Sequence, residues 1–505
     1  MEIQRLFPTN INKIDSLLSS AIWKSSTAEP TLGLTYSFIE GTSTFDTGYG
    51  GGDTNPARTV SAFSNDDREL VRALLSKLES IINIKFQEVV ETGNRPGTLR
   101  FGYSGSLPEG ASGGAFGPGR FEWSGDVWIS SELRSVTTSD QISFKRHVFL
   151  HETLHALGLS HPFEASLPGS TATLPAPENH LGNTVMAYNV FPNEVRRYLS
   201  YWPDEPMPLD ITVLQYLYGP ANPSIFNDRY DVSSSTFLDR FRVIWDNGGA
   251  DLVDATRSSH PVKIDLSGDD WGDIGGRVSS RSNQSTMTLY IPSAAKIEEV
   301  RGSAFADILK GNSLSNRMQG GAGDDLIFGA EGIDTAVFTG PRSSYSIRRD
   351  GQNLVVSDHS GSDGVDTLMG IERLEFNDHR LAFDTEGSAG KVAKLLGALF
   401  GKALINDQQV MGIGLTLADR GLSERELADT AIAARSITNP TSAVRLMWEN
   451  IFGVPPTAAQ EEPFLSAINS GKLGLVDIVL LAANSQQNQE QIQIVGLSET
   501  GIAFT

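Results

Sequence analysis

The chain has 505 residues, with 61 acidic against 40 basic side chains for a formal charge of −21, and it contains no cysteine. That length exceeds one ordinary core and predicts two or three domains. The acidity argues against binding to nucleic acid or anionic membrane and leaves carboxylates for hard cations, calcium first among them. Disulfides and thiolate metal sites are excluded, so any metal must be held by His, carboxylates and carbonyls.

Residues 1–12 hold no apolar stretch of signal-peptide length, and no later run approaches the length of a membrane span, so neither Sec-type export nor membrane insertion is expected. From Ser64 to Ile82 a polar, acidic start precedes Val71, Leu74, Leu75, Leu78 and Ile82, which is helical spacing after a cap. Short runs at Ile84 to Val90, Leu99 to Tyr103 and Asp126 to Ser130 predict strands, and a second helix is expected from about Ser143 to Leu157. Strands flanked by helices predict an α+β domain over residues 1–223.

Beyond Pro220 the composition shifts to Gly, Asp, Ser and short β-branched runs, predicting an all-β domain over 224–386. A nine-residue period runs without gaps through 302–310, 311–319, 320–328 and 329–337. Each unit opens on glycine, and the sixth position carries Asp307, Asn316, Asp325 and Asp334. From about Ala389 helical periods return, predicting a helical module over 387–505. Leu395 to Gly401 is echoed there by Leu446 to Gly453, each followed by a short helix with Asp429 or Asp477, which reads as two related hairpins.

His151 and His155 are four apart, so on a helix their rings share one face and one ion. Continued as helix, the chain would carry His161 about 9 Å past His155. Gly158 can take the left-handed conformation that ends a helix and lets His161 return to the metal. Three neutral imidazoles leave a tetrahedral zinc with one position for water, and Glu152, beside the first ligand, can take that water's proton and pass it to a leaving amine. Satisfied core histidines are the competing reading for a bare HExxH; the full string from His151 to His161 is far more constrained.

The string HETLHALGLSHP resembles the metzincin motif, and Pro162 after the third histidine resembles the serralysin branch. Thr184-Val-Met186-Ala-Tyr188 is similar to that branch's Met-turn. The resemblance implies that Met186 packs beneath one catalytic zinc and that Tyr188 stabilises the tetrahedral oxyanion. Leu34 to Phe38, Gly125 to Ile129 and Asp210 to Gly219 resemble further strands and the closing helix of that catalytic domain. The Pro-rich segment Leu167 to Pro177 is short, so substrate preference is not carried over, and the brief leader before Leu34 predicts no long inhibitory propeptide. A peptide substrate is expected along an exposed strand edge at 113–118, whose glycines and proline block pairing with another strand, with Gly114, Ala115 and Phe116 as its contacts.

Gly320 to Phe328 is the GGxGxDxUx nonapeptide, in which Gly320 and Gly323 permit the turn while Asp and carbonyls hold calcium. A parallel β-roll spends two such units per turn, so the loop of Asp307 should face that of Asp325, and that of Asn316 that of Asp334. Turns of an ordinary antiparallel sheet are the competing reading. Ile244 to Asp251 resembles the opening of an RTX roll and makes Asp246 and Asp251 further calcium candidates. The resemblance implies a secreted, extracellular, monomeric zinc endopeptidase with several structural calcium ions, acting on proteins or peptides and leaving through type I secretion machinery. Glu499 to Phe504 is compatible with that machinery's C-terminal signal. A calcium-dependent surface or adhesion protein with a vestigial protease domain is the alternative.

Overall fold

The structure is a computed structural model that describes residues 2–25, 31–45, 48–49, 55–91, 96–191, 194–195, 199, 201–278, 288–359 and 361–505. The chain divides into two compact units, one of residues 1–253 and 258–297, the other of 254–257 and 298–505. It combines helices, several separate sheets and a helical C-terminal region.

In the first unit the main sheet contains β1 (Leu32–Phe38), β2 (Ile84–Glu88), β3 (Leu99–Ser104), β4 (Gly113–Ala115) and β5 (Asp126–Ser130). Their spatial order is β2-β1-β3-β5-β4, with β4 antiparallel on the edge and the others parallel. Parallel neighbours need crossovers, and helix α1 (Asn65–Glu79) lies in the connection from β1 to β2. Its first turn is capped by the Ser64 hydroxyl, which accepts from the Asp67 amide, and Val71, Leu74, Leu75 and Leu78 form the buried stripe.

Helix α2 (Ser139–Ala156) begins four residues before the expected Ser143. The added turn is exposed, with Ser139, Asp140 and Gln141 before a single apolar Ile142, so it leaves no trace in an apolar period. From His147 to Ala156 the helix is buried on nearly every side. Phe149 and Leu154 pack in a core with Phe101, Val127 and Ile129, which also takes in Val213 and Leu214 of α3 (Pro208–Tyr218) and Phe241, Trp245 and Trp271.

Asp67 and Lys145 form a buried ion pair joining α1 to α2, and Ser64 Oγ and Tyr103 Oη donate to the same carboxylate at 2.7 and 2.9 Å. Burial opposes ionisation of Asp67, but the bonds from Lys145 and Ser64 outweigh it and hold the carboxyl below its usual range.

In the second unit the nonapeptides supply β6 (Ile308–Lys310), β7 (Arg317–Gln319), β8 (Leu326–Phe328) and β9 (Thr335–Val337). Successive units alternate between two sheets: β6 pairs with β8 and β7 with β9, all parallel. Only the middle residue of each strand, Leu309, Met318, Ile327 and Ala336, is fully buried. A hairpin of β10 (Tyr345–Asp350) and β11 (Asn353–Asp358) follows. Then β12 (Val365–Met369) and β13 (Arg373–Glu375) return, parallel, to β8 and β9. Beyond residue 387 come α4 (Ser388–Phe400), α5 (Glu424–Ala434), α6 (Pro440–Phe452) and α7 (Leu475–Ala483); the two echoed segments run through the ends of α4 and α6 to their capping glycines, and Asp429 and Asp477 lie on α5 and α7.

Replacing Lys145 with Met strands a buried carboxylate and should cost about 3–5 kcal/mol near neutral pH. Because the Asp67 pKa is depressed by folding, its wild-type contribution is present above about pH 4 and is lost as pH falls. The deficit of the variant should therefore shrink on acidification below that pH, as denaturant melts at pH 7 and at about pH 3 would show.

Candidate active site

Helix α2 carries His151, Glu152 and His155 to its C-terminal end, where the chain must stop being helical for His161 to return. Gly158 does this at φ +101°, a conformation that costs a side chain dearly, and an added Cβ would lie 3.0 Å from the Ala21 carbonyl oxygen. The turn is fixed on both sides: the Ser19 amide donates to Gly158 O at 3.0 Å and the Ser160 amide to Leu17 O at 2.7 Å.

Two of the imidazoles are oriented by a hydrogen bond at Nδ1 and the third has a carboxylate near it. Nδ1 of His151 bonds Val185 O at 2.9 Å, that of His155 bonds Leu159 O at 2.8 Å, and that of His161 lies 3.1 Å from a carboxylate oxygen of Glu164. A carbonyl only accepts, so Nδ1 of His151 and of His155 carries the proton and Nε2 of each is a lone-pair donor. Both Nε2 atoms lie 3.2 Å from Nε2 of His161. Nitrogens bonded at about 2.0 Å to one tetrahedral zinc stand about 3.3 Å apart, so the three residues fit that ion.

Burial, reinforced by the neighbouring imidazoles, holds His151 well below the usual histidine range, and burial with the His161 charge lowers His155 to about 4. Both rings are therefore neutral at physiological pH, the form that binds metal. Burial alone pushes the Glu152 carboxyl up to about 8. A divalent cation at the imidazoles acts in the opposite direction by favouring the carboxylate.

Tyr188 brings its hydroxyl to 3.0 Å from His161 Nε2, and Phe163 stacks on the His161 ring at 5.1 Å. Met186 is fully buried in the turn that presents Val185 O to His151. Asp210, at the start of α3 and wholly buried, fixes that turn by accepting from Thr184 Oγ1 at 2.5 Å and from the amides of Val185 and Met207 at 2.9 Å. Burial raises its pKa to about 6 against those bonds. Sequence reasoning placed Asp210 in the closing helix without a role; its position in the first turn after Pro208 was the available signal.

A cleft of about 560 Å³ opens beside Glu152, lined by Gly110 to Gly113 on one side and by Phe144, His147, Val148, Tyr188 and Trp202 elsewhere. The edge strand β4 thus begins at the cleft, and an added Cβ on Gly113 would lie 2.6 Å from Glu152 Cγ. Gly114 and Ala115 lie in β4. Phe116 is placed differently, with its ring against Tyr49 and Trp123 and its amide donating to Asp126 O at 3.0 Å.

Away from the cleft, Asp246 and Asp251 come together with Asp228, one carboxylate oxygen of each lying within 4.8 Å of the others. Asp228 stands outside the Ile244 to Asp251 segment and offered no motif. In the second unit Asp307, Asp325, Asn316 and Asp334 line two columns of stacked loops. The Asp307 amide donates to Asp325 Oδ1 at 2.8 Å and the Asn316 amide to Asp334 Oδ1 at 2.7 Å. Gly323 takes φ +111°, and Gly320 sits where its Cβ would collide with the Asp325 carboxylate.

A family model for the RTX calcium-binding nonapeptide repeat matches residues 301–336 in four copies. The chain is similar to the metalloprotease AprA of Pseudomonas entomophila, 27% identical over 325 residues that cover 59% of this chain and 63% of that protein. It is similar also to serralysin B of Dickeya chrysanthemi, 28% identical over 55% of this chain and 58% of the relative. Serralysin of Photorhabdus luminescens matches at 26% over 51% and 55%. The chain thus spans about six tenths of the length of these curated relatives.

Changing Asp210 to Ala should leave the amides of Val185 and Met207 unpaired in the interior, lowering stability by about 2–4 kcal/mol and loosening the turn behind His151. Zinc affinity measured by competition with a chromophoric chelator should fall about tenfold or more with it.

Proposed function

We propose that this protein is a secreted zinc endopeptidase of the serralysin type, in which residues 1–223 carry the chemistry, 224–386 bind structural calcium and 387–505 form a helical module. The observation that carries the reading is the convergence of His151, His155 and His161 Nε2 beside a cleft-facing Glu152. The similarity to named metalloproteases supports it.

His151, His155 and His161 would hold one zinc, which when bound acts as a Lewis acid on the substrate carbonyl and makes water more acidic. Glu152 takes a proton from the attacking water and delivers it to the departing amine, so no covalent enzyme intermediate is required. Its buried position keeps bulk water from competing for that proton. Tyr188, whose hydroxyl already points at the histidine cluster, donates to the oxygen that becomes negative in the tetrahedral state. An extended peptide lies along the backbone of β4, where Gly114 and Ala115 offer an edge without bulky side chains.

Several calcium ions are held by the loops of Asp307, Asn316, Asp325 and Asp334, and a further one by Asp246 and Asp251 with Asp228. Burial pushes Asp325 and Asp334 up to about 7, so the loops disfavour ionised carboxylates unless a cation compensates. Calcium binding therefore supplies folding free energy. That coupling suits export of an unfolded chain through type I secretion machinery and folding outside the cell as a monomer.

Digestion of denatured casein, abolished by chelation and restored by zinc, tests the reading. Glu152→Ala should retain stoichiometric zinc and lose at least a hundredfold in kcat/KM; activity within tenfold of wild type contradicts the assignment. Tyr188→Phe should lower kcat by about 10–100-fold with KM little changed. Circular dichroism of the full chain in excess chelator should show β-signal missing that calcium restores, whereas a spectrum indifferent to calcium contradicts the coupling.

A further inference from the structure

The face of α2 that carries His151 and Glu152 extends back along the helix. Val148 and His147 lie three and four residues before His151 and Phe144 lies seven before it, so all share one stripe. Phe144, His147 and Val148 line the cleft together with Trp202. The three rings pack on one another: Phe144 meets Trp202 edge-on at 4.8 Å, and His147 lies 5.2 Å from Trp202 and 6.4 Å from Phe144. Two hydrogen bonds fix this wall, one from the Trp202 amide to Ser143 Oγ at 3.2 Å and one from His147 Nδ1 to Pro203 O at 2.8 Å.

Within the wall His147 is the polar member, and it is only 5% exposed. A carbonyl only accepts, so its Nδ1 carries the proton, and Nε2 of the neutral ring is an acceptor. Among the described residues that Nε2 has no hydrogen-bond partner. A buried acceptor left unpaired is costly, and a group entering the cleft with a donor at its tip removes the cost.

We propose that His147 makes the cleft selective for a tyrosine side chain beside the scissile bond, its phenol donating to Nε2 and its ring packing against Phe144 and Trp202. This rests on the reading that the cleft is a peptidase active site. An extended peptide on the edge of β4 points alternate side chains to opposite faces, so one residue flanking the scissile bond faces the cleft. The choice of tyrosine follows from the wall. Phenylalanine suits the same aromatic surroundings but leaves Nε2 unpaired. Lysine and arginine carry donors, yet their charge would be desolvated about one helical turn, 5.4 Å, from the histidines that would hold zinc. Tryptophan carries its N–H on the side of a larger ring rather than at the tip.

Cleavage sites in a peptide mixture digested by the full-length, zinc-loaded protein should show tyrosine enriched at one position flanking the bond. Matched peptides with tyrosine, phenylalanine or O-methyltyrosine there then separate the hydrogen bond from bulk. The proposal predicts kcat/KM at least about tenfold higher for tyrosine than for either analogue. In His147→Phe, which keeps a ring and removes the acceptor, that ratio should fall to near one. No enrichment, equal rates for tyrosine and either analogue, or an unchanged ratio in His147→Phe overturns the proposal and leaves the peptidase reading standing. Failure to cleave any peptide overturns that reading as well. Should His147→Phe not fold, the wild-type comparison decides alone, because O-methyltyrosine removes the donor from the substrate instead.

Discussion

The helix-ending turn at Gly158 is the constraint on which the rest of the site depends. Up to Ala156, α2 is a regular helix buried on nearly all sides, and such a helix can present two histidines to one ion but never a third six residues on. The left-handed glycine reverses the chain, returns Leu159 O to His155 and swings His161 beneath Tyr188. The conformation is expensive for any residue with a Cβ, and the neighbouring segment Leu17 to Ala21 closes the space where one would go.

Around that turn, polar groups are arranged so that the histidines have little freedom. The backbone carbonyls of Val185 and Leu159 fix two tautomers, and Asp210 fixes the first of those carbonyls by tying down Thr184 and Val185. A buried carboxylate with three donors and, among the described residues, no cation beside it is a costly device. Its place behind the turn that faces His151 has a physical reason, because ring orientation sets both the lone-pair direction and the neutral state. The second unit uses buried carboxylates differently: Asp325, Asp334 and Asp366 are stacked so that each carboxylate accepts from the preceding turn's backbone while keeping like charge nearby.

Much of this was legible in the sequence wherever a short period or a fixed spacing encodes the geometry. The capped stripe from Ser64 to Leu78, the strand at Asp126 to Ser130 and the nine-residue alternation are local patterns that tertiary packing had no reason to override. The spacing from His151 to His161 brought the right side chains together because a glycine sat where a turn was needed. What stayed hidden depends on distance in sequence. Phe116 looked like part of a free edge, yet its ring is claimed by the aromatic cluster of Tyr49 and Trp123. Asp228 meets Asp246 and Asp251 from outside their motif, and Asp366 resumes a ladder that an inserted hairpin interrupts. The first turn of α2 escaped because exposed residues with a single apolar member, Ile142, leave no apolar period.

The claim that His151, His155 and His161 hold one zinc is tested most directly by X-ray absorption at the zinc edge of the purified protein. The account predicts one zinc per chain with three imidazole nitrogens at about 2.0 Å and one further light ligand. A zinc shell of carboxylate oxygens without imidazole scattering, or an unchanged spectrum in His161→Ala, would contradict it.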